Sequence, residues 1–247
     1  MIPLSRAGRF CFGAAVAASG LMQLINGALV RLAAPLPTWL GASGAWPVST
    51  GLLMLLAGAA ILSGYRAKAA ALLFGALLLG LFLTKGIADI ASNPGAGFMW
   101  TNPAKMLALF GGAMVLGGRA EKWPWLAPVL LGIFLLICGA QHFVYAGFVD
   151  GLVPAWIPPG QRFWTLFAAV ALLAGGLGVV VPRTRRLAGL WSGVMIFSWV
   201  LLVHLPRTVE LKNAFELAGV FEALALAGTA WLVAGTKKEE AGKASSG

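Results

Sequence analysis

Side chains that could do chemistry gather in the second half of an otherwise apolar chain. His142 and His204 are its two histidines. Each lies 17 residues after the start of an apolar run, counted from Trp125 and Leu187. In a helix that spacing is a rise of about 25 Å. We therefore expect the two imidazoles at a similar depth if both runs are helices of the same direction.

Acidic and polar residues accompany the two histidines. Glu216 opens the last apolar run, and Glu222 lies six residues further along it. Ionisable groups within a membrane cost about 2.5–3.5 kcal/mol each on insertion scales, so they are functional candidates by default. The predicted polar site contains His142, His204, Glu216, Glu222, Gln141 and Arg207. The sequence does not single out a catalytic residue among them.

The first half has no histidine and offers a different set of polar residues. Its secondary candidates are Gln23, Lys85, Asp89 and Lys105. Lys85 and Asp89 are four residues apart, so they can pair on one helix face. This asymmetry predicts that the second half carries the site and that the first half supports it.

Three interpretations of the polar site remain open. It is a polar network that locks the second bundle, with the histidines bonded to Glu216 or to backbone. Alternatively, it is a quinone or proton-linked site, in which a histidine bonds a carbonyl and Glu222 relays a proton. The third interpretation is haem or metal ligation by His142 and His204. Because two histidines without a further motif are weak evidence for ligation, we predict no metal.

The composition places these residues in a membrane protein. Hydrophobic residues make up 60% of the chain and charged residues 11%, whereas soluble domains carry roughly 25% charged residues. The net charge of +10 comes mainly from bases in short loops, which favours a role in membrane topology over nucleic-acid binding. Cys11 and Cys138 lie far apart inside apolar runs, so we expect buried small residues and no redox pair.

Apolar runs bounded by glycine, proline and charge predict eight transmembrane helices. We expect them at residues 8–32, 47–64, 67–90, 103–118, 125–148, 163–182, 187–205 and 214–235. The basic start of the chain resembles a signal peptide, but its apolar run is long enough to span, which favours an uncleaved first helix. Twelve of the 18 bases fall on one side of these spans, so both termini are predicted to be cytoplasmic.

The two halves of the chain resemble each other. "LLAGAA" at 55–60 matches "LLAGGL" at 172–177, and the same offset of 117 aligns Trp39 with Trp156. We expect an all-α integral membrane protein of two four-helix repeats, residues 1–120 and 121–236, followed by a disordered cytoplasmic tail at 237–247. Because four is an even number, the repeats should be parallel in orientation and not inverted.

Proline and tryptophan mark one loop in each half. "APLPTWLGASG" at 34–44 and "GLVPAWIPPGQ" at 151–161 join the first two helices of each repeat, on the predicted outer side. Each is interpreted as an interfacial turn anchored by tryptophan, or as a lid over a cavity. The predicted polar site lies beneath the second loop.

Several segments resemble the DoxX/DoxD-like family of four-helix membrane proteins. "NPAKMLALFGGAMVLGG" at 102–118 is similar to that family's fourth helix, with Lys105, Gly111 and Gly112 at the family positions. "GYRAKAAALL" at 64–73 and "PRTRRLAGLW" at 182–191 resemble its turn between helices 2 and 3. In the second repeat, Glu216 stands at the position of the lysine.

The resemblance implies a multi-pass protein of the bacterial or archaeal cytoplasmic (inner) membrane. It also implies a subunit or accessory of a quinone-linked oxidoreductase complex, with the lipid bilayer as surroundings and other oxidoreductase subunits as partners. The cofactor stays open, and quinone fits this setting better than haem or a metal. The alternatives are a small-solute transporter or permease, motivated by parallel repeats and intramembrane charges, and a purely structural subunit of a larger membrane complex.

Overall fold

Helices make up the protein wherever its structure is described. The computed structural model describes residues 4–27 and 45–236, and within these two ranges it contains helices and turns but no strand. The first proline–tryptophan loop at 34–44, the predicted end of the first helix at 28–32 and the tail at 237–247 lie outside the described residues.

Eight long helical segments occupy the described ranges, close to the positions that the sequence predicts. They are α1 Leu4–Asn26, α2 Ala45–Ser63, α3 Ala67–Ser92, α4 Thr101–Leu116, α5 Leu126–Val144, α6 Gln161–Val180, α7 Arg185–Leu211 and α8 Ala214–Ala234. Seven of them, all except α4, are long and apolar enough to cross a membrane. Over the described residues the predicted helical fold is confirmed, with seven candidate membrane-spanning helices as in a multi-pass membrane protein. The 16 residues of α4 follow a 3₁₀ turn, Gly97–Trp100.

Two helices contain a π-helical turn and run further than the sequence predicts. In α3 the turn is Phe82–Gly86, and in α7 it is Val200–His204. The sequence predicts that α7 ends at residue 205, because proline in a helix interior removes a hydrogen bond. In the structure Pro206 lies in the first α-helical turn after the π turn, where its missing N–H is tolerated. The helix therefore continues to Leu211.

Small residues bring neighbouring helices into close contact. A Cβ atom added to Gly58 of α2 would lie 2.3 Å from the backbone nitrogen of Ala17 in α1. The same kind of contact joins α5 to α6, because a Cβ atom on Gly132 would lie 2.9 Å from the carbonyl oxygen of Gly176. Close backbone approach at small residues is a general way of packing transmembrane helices.

The most enclosed helix is α8. In its most apolar stretch 72% of residues are buried, against 28–50% for the other six candidate spans. It packs against α1, α4 and α7, while α4 also packs against α3 and α5. Residues of α4 and α8 therefore meet in the middle of the bundle.

We predict that the close contact between α1 and α2 does not tolerate a side chain at Gly58. Gly58→Ala should lower the free energy of unfolding by about 1–3 kcal/mol, because the new methyl group overpacks the α1–α2 contact. Gly80→Ala in α3 is the matched control, since a Cβ atom there would meet nothing within 4 Å. Unfolding in mixed detergent micelles, followed by circular dichroism, measures both. Equal stability of the two variants would contradict the packing described.

Candidate functional site

A cavity of about 350 Å³ lies among α4, α5, α6, α7 and α8. Most of its walls are apolar or aromatic, as at Phe134, Trp164 and Trp199. Three of the predicted site residues line it together: His142, His204 and Glu222. Lys105, a secondary candidate from the first half, lines the same cavity. Cavities of this size and lining are typical of small-molecule sites.

The second proline–tryptophan loop covers one end of this cavity. Val153 and Ile157 of the loop line it. The Gln161 side-chain amide donates to the carbonyl oxygen of Val153 (2.6 Å), and the Trp164 indole donates to that of Pro158 (2.9 Å). Both donors belong to α6, so the helix that follows the loop also holds it in place. The three predicted residues thus line the same cavity as this loop.

A buried ion pair joins the two halves of the chain at the cavity. Lys105 Nζ of α4 lies 2.5 Å from Glu222 Oε2 of α8. Only 9% of the lysine side chain and 12% of the glutamate side chain are exposed. In so apolar a setting neither charge is tolerable alone, because breaking a buried pair leaves an uncompensated charge. The pair therefore fixes the two helices at this level.

Two polar atoms at the cavity have no hydrogen-bond partner within the described part of the chain. They are Glu222 Oε1 and Thr165 Oγ1, and Thr165 is fully buried. Both residues line the cavity. Since buried polar groups are nearly always hydrogen-bonded, these two atoms mark where the site would receive polar groups of a ligand.

The two histidines occupy different local settings. His142 Nδ1 lies 2.7 Å from the carbonyl oxygen of Cys138, one turn earlier in α5. A carbonyl oxygen only accepts, so this contact assigns the proton to Nδ1. The His142 ring stacks on Trp199 of α7, with 6.1 Å between centroids. His204 is the last residue of the π turn in α7, and that turn carries it to the cavity wall.

The other predicted site residues are not among those that line the cavity. Arg207 binds Glu216 through two nitrogens, at 3.0 and 3.3 Å, and this pair joins the end of α7 to the start of α8. Gln141 accepts from the Thr101 hydroxyl (2.9 Å) and donates to the carbonyl oxygen of Gly97. These three side chains therefore hold helix ends together and are not among the residues that line the cavity.

The secondary candidates of the first half divide in the same way. Gln23 donates to the carbonyl oxygen of Pro47 and to the Thr50 hydroxyl, which joins α1 to α2. Lys85 pairs with Asp89 on one face of α3, at the spacing that the sequence indicates. Of this group, the cavity lining includes only Lys105.

The contacts of α4 and α8 differ from the sequence alignment, which places Glu216 opposite Lys105. In the structure Lys105 meets Glu222, and a Cβ atom on Gly112 would lie 2.6 Å from the Thr229 hydroxyl. Both pairs are 117 residues apart, the same offset that aligns the earlier helices. The position assigned to Glu216 implies an offset of 111 from Lys105, which these contacts do not follow.

Sequence reasoning missed several cavity residues. Thr165, Ser198, Trp199 and Cys138 line the cavity, and the sequence analysis treated them as parts of apolar helices. A signal was present for two of them, because a hydroxyl group inside an apolar run is a polar feature that needs a partner. Within residues 4–27 and 45–236, no group of three histidine, cysteine or acidic side chains is placed to hold a metal ion.

Comparison with known proteins gives a partial family match. A family model described as a domain of unknown function (DUF8561) matches residues 131–227, about two fifths of the chain. This stretch contains His142, His204 and Glu222 but not Lys105. No curated protein and no solved structure matches the chain.

We predict that the Lys105–Glu222 pair stabilises the fold only while it is intact. Lys105→Met should lower the free energy of unfolding by about 3–5 kcal/mol, because it leaves the Glu222 carboxylate buried and unpaired. Adding Glu222→Leu should recover much of that loss. The exposed Lys68→Met is the matched control and should change stability by less than about 0.5 kcal/mol. If Lys105→Met leaves the free energy of unfolding unchanged, the pair does not control the packing of α4 against α8.

Proposed function

We propose that this chain is a membrane-embedded subunit or accessory of a quinone-linked oxidoreductase, and that its cavity binds the quinone ring. The observation that carries the proposal is an apolar, aromatic cavity into which one buried ion pair and a few hydroxyl and imidazole groups project. A quinone head group has this character, since it is a flat ring with polar atoms at two opposite positions.

The size and walls of the cavity support a single ring. Its volume of about 350 Å³ lies at the lower end of the range of about 300–1,000 Å³ for small-molecule sites. The stacked His142 and Trp199 rings offer an aromatic surface at one wall, and Phe134 and Trp164 add two more aromatic side chains. Offset stacking on such surfaces favours a planar ligand.

Access from the bilayer is supported by two exposed lining residues. Phe167 of α6 and Leu202 of α7 both line the cavity, and they are 51% and 41% exposed. Both lie inside candidate membrane spans, so their outer surfaces face lipid. Apolar lining residues that are also exposed within candidate spans suit a ligand that arrives from the membrane with its tail still in lipid.

The DoxX-like resemblance provides the wider setting of the proposal, namely a partner oxidoreductase in the bacterial or archaeal cytoplasmic membrane. Two features support the two-repeat architecture that goes with it. The π turns of α3 and α7 begin at residues 118 apart in the chain, and the α4–α8 contacts follow an offset of 117. The last helix of each half also packs on the first helix of the other.

A solute transporter is the second candidate, and the buried Lys105–Glu222 pair is the observation that favours it, because intramembrane charges often mark transport paths. A transporter of parallel repeats would be expected to hold its solute between the repeats. The cavity is instead walled mainly by α5 to α8, with α4 contributing Thr101 and Lys105. This placement favours ligand binding within the second half.

We expect the quinone site to depend on Trp199. Purification in mild detergent, followed by extraction and mass spectrometry of the lipids, should recover quinone with the wild-type chain. Trp199→Leu should reduce retention about three- to tenfold, the amount that a lost aromatic stacking contact accounts for. Trp191→Leu is the matched control, because Trp191 lies on the same helix, is 61% exposed and is not among the cavity-lining residues.

The same preparation tests the partner. Other oxidoreductase subunits should co-purify with the wild-type chain. A protein recovered alone, without quinone and without partners, would refute the proposed function, and solute flux into liposomes that Glu222→Gln abolishes would favour the transporter instead.

We propose further that the loop over the cavity faces the outside of the membrane and that both termini are cytoplasmic. With Cys11 and Cys138 replaced by alanine, a membrane-impermeant maleimide should label Trp156→Cys in intact cells. It should label Arg66→Cys only after the cells are permeabilised. Both positions are exposed. The opposite labelling pattern would reverse the orientation.

A further inference from the structure

The unpartnered oxygen of Glu222 restricts the chemistry of the head group. Its neighbour Oε2 is engaged by the Lys105 ammonium, so the side chain is present as a carboxylate in an ion pair. An ionised carboxylate only accepts hydrogen bonds. A ligand that brings an O–H or N–H group can therefore satisfy Oε1 directly, whereas a ligand with acceptors alone cannot.

Two other polar residues that line the cavity do not impose the same restriction. Thr165 Oγ1 can donate or accept, because a hydroxyl group has one hydrogen and two lone pairs. Lys105 carries three hydrogens on Nζ, so it can donate to a ligand oxygen as well as to Glu222. Glu222 is thus the group that separates a ligand with donor hydrogens from one without.

A hydroxyl group on the ligand fits the Glu222 carboxylate and the Lys105 ammonium better than a carbonyl group does. The hydroxyl hydrogen can be donated to Glu222 Oε1 while the same oxygen accepts from Lys105, which lies beside Glu222. A carbonyl oxygen can accept from Lys105, but it leaves Oε1 without a donor and brings a partial negative charge towards the carboxylate. Leaving a buried charged acceptor unsatisfied carries a large desolvation penalty.

We propose that the cavity selects the reduced, hydroxyl-bearing form of its lipid-borne ligand, a quinol, with one ring hydroxyl donating to Glu222 Oε1. This inference rests on the proposed function, because it names the form of the head group that the same site prefers. Phe167 and Leu202 line the cavity and are also exposed, so the tail of such a ligand would pass beside them into lipid. The binding preference itself requires no electron transfer.

Isothermal titration of the detergent-purified chain with a short-chain benzoquinone and with its quinol, under anaerobic conditions, tests the preference. The wild-type chain should bind the quinol about tenfold or more tightly than the quinone, since hydrogen bonds to charged groups are the strong ones. The dimethyl ether of the quinol, which has the ring but no O–H group, should bind no better than the quinone.

Two variants of the same helix provide the protein-side test. Glu222→Gln offers an amide that can both donate and accept, so its ratio of quinol to quinone affinity should fall towards one. Glu216→Gln makes the same chemical change in α8 at a residue that pairs with Arg207 and is not in the cavity lining, so it should keep the wild-type ratio.

The outcomes separate the inference from the function on which it rests. Equal or tighter binding of the quinone by the wild-type chain would overturn the quinol preference and leave quinone binding in place. Binding of neither form would overturn the proposed function and the preference together. If Glu222→Gln does not fold, the comparison of quinol with its dimethyl ether on the wild-type chain still decides the preference.

Discussion

The buried contact between Lys105 and Glu222 is the interaction on which the rest of the structure depends. It joins α4 of the first half to α8 of the second half at the centre of the bundle. Taking two charges out of water is favourable only when both are well paired. Here the lysine is paired and one carboxylate oxygen is not. The contact that fixes the two helices therefore also leaves a hydrogen-bond acceptor without a donor at the cavity.

The surrounding helices are arranged so that this contact borders a cavity and not a packed core. Glycines allow the backbones of α5 and α6 to pack closely. The π turn of α7 carries Leu202, Val203 and His204 into the lining. Because π turns change which face of a helix the following side chains occupy, and occur frequently at functional sites, this turn accounts for the placement of His204 at the wall.

Much of the fold could be predicted from the sequence, because apolar length and helix-breaking residues determine transmembrane segments directly. The helix ends were harder, as at Pro206, since tolerance of a proline depends on a π turn that no local pattern announces. For the site, the intramembrane charges drew attention to Glu222, which lines the cavity. The sequence could not separate it from Glu216, because only the level of α8 against α4 decides which glutamate meets Lys105.

The cavity residues that were missed have a common cause. Thr165 and Trp199 face inward because of how α6 and α7 rotate against their neighbours, and rotation of a nearly uniform apolar helix leaves little trace in its sequence. Gln141 and Arg207 are the opposite case, because they were predicted as site residues but join helix ends. Polar side chains near helix ends can serve either purpose. Residue type therefore identified candidates, and three-dimensional packing sorted them.

Photochemical labelling with an azido-substituted short-chain quinone tests the central claim, that the cavity under the loop at 151–160 is a lipid-accessible ligand site, most directly. Peptide mapping of the labelled chain should find the modification on cavity-facing residues of α6 and α7, such as Trp164, Phe167, Trp199 and Leu202. Excess unlabelled quinol should suppress this labelling. Labelling spread over the lipid-facing surfaces of α2 and α3, unaffected by competitor, would contradict the account.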